Sequence, residues 1–180
     1  MSGFKYTERG EGVYYIEESI AVMGHQHVQF LKSAIKRTAK GRVRLCVHRD
    51  ESEPIHEMFI LVQCGEYIRP HRHHNKPESL CAIEGAAEIV LFSANGDPVR
   101  SFSCGVDEDQ YYYRISEPIY HTVLVQTPYF IFHETTKGPF RRVDTEYAPW
   151  APSEDDVAGQ AEYTLELRRK LTKGRLVESP

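Results

Sequence analysis

Between Gly65 and Gly85 the chain reads GEYIRPHRHHNKPESLCAIEG, a stretch that holds the residue types of metal chemistry. His71 and His73 flank a single residue, and Glu78 follows a few positions later. Alternate residues of a strand share a face, so His71 and His73 present two imidazoles in parallel. Glu78 opens the next apolar run and can return toward them from a neighbouring strand. Two nitrogens and one oxygen converging on a point suit a borderline divalent cation such as Fe, Mn, Zn, Ni or Co. A fourth donor should come from a later strand, and His121 in ISEPIYHTVLVQ is the candidate. It follows a turn at Pro118 and opens an apolar strand with Val123 and Val125 on its face. Three imidazoles and one carboxylate leave positions for water or substrate, the mark of a catalytic rather than a closed structural site.

Parity along 66–74 places Tyr67, Arg69, His71 and His73 on one face, and Ile68, Pro70, Arg72 and His74 on the other. In a small barrel one face looks into the lumen, which makes Arg69 an inward charge in need of a carboxylate or an anionic substrate. Arg69 and Lys76 can bind a carboxylate or phosphate, or form ordinary salt bridges. Tyr67 is a candidate base, so the catalytic candidates are Tyr67, Arg69 and Lys76. Tyr67, Tyr111, Tyr112, Tyr113 and Tyr120 read mainly as packing, with one or two able to line the pocket. His74 has the wrong parity for a ligand. His48 reads as a core histidine before a ligand-orienting one, and His25, His27, His56 and His133 as structural or exposed. Glu84 and Glu88 read as solvated strand-end charges.

The elements that must position these residues are short strands. Residues 43–135 alternate apolar runs with Gly, Pro and Asn signals: RVRLCVH, HEMFILVQC, EYIRPHRH, ESLCAIE, AAEIVLF, VRSFSC, YYYRI, HTVLVQ and YFIFHE. Asn95-Gly96-Asp97 favours a tight hairpin. Many short strands with no intervening helices indicate an antiparallel barrel or sandwich. Residues 1–42 form an N-terminal arm, with a short strand at Val13–Ile16 and a helix from about His25 to Lys40 that Gly41 stops. His27, Phe30, Leu31, Ala34 and Ile35 recur at helical spacing, and Lys32, Lys36, Arg37 and Lys40 form a solvated face. Residues 136–180 form a wrapping loop and a C-terminal helix. Ser153 and Asp156 make a capping box, and Val157, Ala161, Leu165 and Leu171 the packing side. The tail from Lys173 is expected to fray.

At 180 residues, 41% hydrophobic and 27% charged, the chain has the make-up of one globular domain with appendages. A net charge of −4 disfavours a nucleic-acid partner. No apolar run reaches the roughly 20 residues that span a bilayer, and MSGFKYTERGEG lacks a secretory h-region. Membrane partners are therefore not expected, and the cytoplasm is the expected compartment. Cys46, Cys64, Cys81 and Cys104 are widely spaced and read as reduced thiols.

Gly65, His71, His73, Glu78 and Gly85 meet every spacing of the first motif of the cupin superfamily, which this chain resembles. The second cupin motif is P-x-G-x-x-H. Here it is Pro118-Ile119-Tyr120-His121, without the glycine and with a shorter gap. A narrower resemblance covers about 42–152: R-x-R-x-C-x-H from Arg42 to His48, then PHRHHNKPES, YHT, a GPF segment and APW are similar to WbuC-type cupin metalloproteins. The resemblance implies a mainly β, cupin-type antiparallel β-barrel (double-stranded β-helix or jelly roll) with N- and C-terminal helices. It also implies a metal and an association with surface-polysaccharide (O-antigen) genes.

Two functional readings follow. In the first, a metal-dependent enzyme acts on a small polar molecule, a sugar or sugar nucleotide, as an isomerase or epimerase, or as a dioxygenase. In the second, a non-enzymatic cupin uses the metal to clamp a carbohydrate or metabolite, or to staple the barrel. Cupins often associate through outer strands or swapped N-terminal segments, so the resemblance also implies a homodimer.

Overall fold

The computed structural model describes residues 3–177, with side chains through Thr172. Strand alternation generates two sheets. The larger is ordered β1 (Tyr6–Gly10), β2 (Val13–Ile16), β3 (Arg42–Cys46), β4 (Ile55–Gln63), β11 (Tyr129–Lys137), β6 (Glu78–Glu84) and β9 (Tyr112–Ile115). The smaller is ordered β12 (Thr145–Tyr147), β5 (His71–His73), β10 (Tyr120–Val125), β7 (Ala86–Phe92) and β8 (Pro98–Gly105). Pairing is antiparallel except between β2 and β3. The sheets are hydrogen-bonded as two separate ladders that face each other, the mainly β, jelly-roll type of architecture expected.

The sandwich holds together because most strands of both sheets have two apolar faces. On β4, His56, Met58, Ile60 and Val62 look inward, and Phe59 and Leu61 look outward. The inner faces meet in one core containing Met58, Leu80, Ile89, Val123, Val125 and Phe132. The outer face of the large sheet is covered by α1 (His25–Ala34), whose Phe30, Leu31 and Ala34 pack on Val43, Leu45 and Leu61. The outer face of the small sheet is covered by α2 (Val157–Val177) and the segment before it.

Several expected boundaries move. Helix α1 ends at Ala34 and continues as a 3-10 turn over Ile35–Arg37, well before Gly41. There Thr38 Oγ1 and Ala39 N donate to the Glu11 carboxylate, which draws the chain out of the helix. Strand β1 was not anticipated. The helix near the C-terminus is capped by Asp156, whose Oδ1 accepts the Gly159 N–H at 2.9 Å, and Ser153 is not the cap. It packs through Tyr163, Leu167 and Leu171, while Val157 and Leu165 are exposed. It runs on to Val177; residues 178–180 of the expected frayed tail lie outside the described residues. Glu88 is buried and accepts from Gln126 at 3.1 Å, so it is not a solvated strand end.

Candidate metal centre

The site lies between the sheets. The small sheet supplies the histidines: His71 and His121 are cross-strand partners on β5 and β10, and His73 lies two residues along β5. Their facing nitrogens all fall within 4.8 Å of one another. Glu78 comes from β6 in the opposite sheet, not from a neighbouring strand of the same one. Its carboxylate meets His121 Nε2 at 2.9 Å and His73 Nε2 at 3.1 Å.

Each imidazole is held from behind. His71 Nδ1 donates to the Arg69 carbonyl at 2.8 Å, and His121 Nδ1 to the Ile119 carbonyl at 3.0 Å. His73 Nδ1 pairs with Thr145 Oγ1 at 3.0 Å, Thr145 lying opposite His73 in the β12–β5 ladder. A ring whose Nδ1 proton is engaged by a carbonyl leaves Nε2 as a lone pair, the arrangement that metal-binding histidines adopt. The donor set therefore fits a divalent cation.

The electrostatics agree. Burial, with the charges of His121 and His73, holds His71 down at about 3, so it is neutral. Burial alone would raise Glu78, but the charge and hydrogen bonds of His121 and His73 outweigh it and hold the carboxyl well below the usual range. Burial opposes the charge on His121, but Glu78 raises its pKa. Glu78 and His121 Nε2 face each other at 2.9 Å, and a bound cation would draw on both.

The two glycines of the motif have backbone reasons. Gly65 and Gly85 have φ of +90° and +76°, the left-handed region that favours glycine. At Gly85 a Cβ would also lie 2.2 Å from the Tyr129 carbonyl oxygen. This turn returns the chain from one sheet to the other immediately after β6.

Beyond the histidines opens a pocket of about 390 Å³ lined by both sheets. Arg69 and Lys76 line it, as expected. Tyr67 does not: residues 66–70 are irregular, the strand parity fails there, and the Tyr67 hydroxyl donates to Pro152 O beside Tyr163 of α2. Tyr67 is thus removed as a pocket base. Arg44, Tyr113 and Glu134 line the pocket and were missed. Glu134 was detectable, since it continues the inward face of Phe130 and Phe132 on β11. Burial, and then the charge of Glu78, push its carboxyl up to about 7. His48 and His56 also line the pocket, stacked in parallel at 4.2 Å, away from the Glu78 centre.

The outer side of β5 explains His74. Arg72 and His74 both bind Glu146 of β12, at 2.9 Å and 2.7 Å, and the Tyr120 hydroxyl donates to the same carboxylate. Inward residues of HRHH thus face the site, and outward ones clamp the strap that carries Thr145.

A family described as a domain of unknown function (DUF6016) matches residues 23–103. No curated protein matches the chain. Among solved structures, CapF with the inhibitor 3-isopropenyl-tropolone aligns with a TM-score of 0.50 and 16% identity, over 61% of this chain and 32% of that one. Another CapF structure, from Staphylococcus aureus and described as a capsular polysaccharide assembling protein, aligns with a TM-score of 0.48 and 16% identity, over 58% and 31%. Protein SO0799 from Shewanella oneidensis aligns with a TM-score of 0.50 and 14% identity, over 70% of this chain and 83% of that one. The chain thus spans about a third of the length of CapF. At these identities the likeness concerns the fold, and these neighbours are cupins. The chain therefore has the cupin fold: two apposed β-sheets with three histidines and a glutamate gathered between them.

Proposed function

We propose that this chain is a metal-dependent cupin enzyme whose divalent cation is held by His71, His73, His121 and Glu78. It acts on a small polar molecule, a sugar or sugar nucleotide of surface-polysaccharide metabolism, by isomerase, epimerase or dioxygenase chemistry in the cytoplasm. The observation that carries the reading is the anchoring of all three imidazoles through Nδ1, with Glu78 within 3.1 Å of two Nε2 atoms. The sugar class is supported by the WbuC-type order of motifs and by the fold shared with CapF, a capsular polysaccharide assembling protein.

When bound, the cation would polarise substrate oxygens or lower the pKa of a water. The chain's own residues supply the rest. Glu134, with a carboxyl near neutrality, is suited to take or return a proton on the substrate. Leu80, Val123 and Phe132 wall the pocket with apolar surface and limit water around the reacting atoms.

Elemental analysis of protein purified without added metal tests the reading. About one equivalent of Fe, Mn, Zn, Ni or Co is expected, and its loss in His73→Ala and His121→Ala. A metal-free wild type, with melting temperature indifferent to either change, overturns it. Stoichiometric metal with tight sugar binding and no turnover would assign the chain to the non-enzymatic clamp.

A further inference from the structure

We infer that the pocket takes a molecule bearing an oxyanion, a phosphate or a carboxylate, held by Arg44, Lys76 and Arg69. The inference rests on the reading of this pocket as the substrate site. It names the chemical class that the site selects.

Four cations line the pocket: Arg42, Arg44, Arg69 and Lys76. Arg42 is paired, to Glu154 at 3.2 Å and to Glu66 at 3.9 Å. None of the other three has a carboxylate oxygen within 4.0 Å among the described residues. All three are half-buried. Arg69 gives one Nη2 hydrogen bond to Ala148 O at 3.0 Å and rests 5.3 Å from the Tyr147 ring centre. Its Nε is buried with no partner among the described residues. Lys76 Nζ lies 5.5 Å from the face of Phe140 and, among the described residues, feels Glu134, Glu78 and Asp144 only at a distance beyond ion pairing. Arg44 extends inward from β3 between the outward-packed Val43 and Leu45.

A partly desolvated cation without a counter-charge carries part of the cost of burial, which an oxyanion ligand would offset. Glu134 does not complete them. It feels both Arg44 and Lys76, which places all three on one wall, but it lies beyond ion-pair distance of either. A divalent cation at the histidines would add further positive charge, and Glu78 offsets only part of it. Glu51 also lines the pocket but pairs with none of the three, and a neutral sugar would leave Arg44, Lys76 and Arg69 without a direct counter-charge. An oxyanion matches the guanidinium fork of Arg44 or Arg69, with Lys76 as a point charge.

The test uses the metal-loaded full chain, titrated calorimetrically at low ionic strength with inorganic phosphate, malonate and glucose. One of the two anions should bind at least about tenfold more tightly than glucose, and the preferred one identifies phosphate or carboxylate. Arg44→Met, Lys76→Met and Arg69→Met should each weaken that anion about tenfold or more while metal content and melting temperature stay at wild-type values. Arg44→Lys should recover part of the loss, and it replaces Arg44→Met if the latter does not fold. Anion affinity no better than that of glucose, no anion binding at about 10 mM, or variants that bind as tightly as wild type, each overturn the inference. Its failure is distinct from failure of the metal reading, because metal content is read separately. Anion binding to a protein without stoichiometric metal would sink the metal centre and leave the oxyanion site standing.

Discussion

The Nδ1 atoms decide what the three histidines can do. Carbonyl acceptors at Arg69 and Ile119 turn His71 and His121 inward, and Thr145 does the same for His73 from a different strand. Thr145→Val should therefore weaken metal about tenfold or more without touching a ligand, measured by chelator competition. An unchanged affinity would show that the Thr145 bond does not position His73. Glu134 yields a pH dependence. Its folded pKa of about 7 lies above the unfolded carboxylate value, so between roughly pH 4.5 and 7 the folded state binds more protons than the unfolded one. Its contribution is present below that range and is lost as pH rises through 7. Urea midpoints of metal-free protein from pH 5 to 8 should fall less steeply with pH in Glu134→Gln than in wild type. Parallel curves would show that Glu134 is an ordinary carboxylate.

At the scale of elements, the faces of α2 separate two readings of one sequence. Val157, Ala161, Leu165 and Leu171 form an acceptable apolar spacing, yet Leu165 is 52% exposed and Leu167 is 4% exposed. The sheet beneath selects Tyr163, Leu167 and Leu171, because Val90, Phe92 and Leu124 offer their surface there. Leu167→Ala should cost about 2–4 kcal/mol in chemical denaturation and Leu165→Ala less than about 0.5 kcal/mol. Equal losses would place the helix wrongly. Gly85→Ala meets both a positive φ and the Tyr129 carbonyl, so a destabilisation of at least about 2 kcal/mol is expected. A near-neutral result would mean that the turn can relax without disturbing β6.

At the scale of the molecule, two sheets lie between two helices, and the site sits where the sheets face each other. Among the described residues no helix is long and apolar enough to cross a membrane. The N-terminal arm pairs with its own chain, β2 alongside β3. We carry the homodimer forward as a proposal. Light scattering at micromolar concentration should give twice the 20.8 kDa chain mass, and the single-chain mass would end it.

Much of the candidate site was legible in the residues alone. HxH followed by a glutamate and closed by glycines depends on local spacing and strand parity, which a linear chain displays directly. His121 was legible for the same reason, as the opening residue of an apolar strand. What only the tertiary structure decided is non-local. Glu78 arrives from the opposite sheet, Thr145 from a strap that shows no periodicity, and Arg44 and Glu134 meet Lys76 from strands far apart in the chain. Tyr67 leaves the site because the backbone before His71 is not a strand, so alternation cannot carry its side chain inward. Spacing along one strand is set by covalent geometry; which strands face one another is set by the burial of both sheets' apolar surfaces, and no short window of sequence contains that.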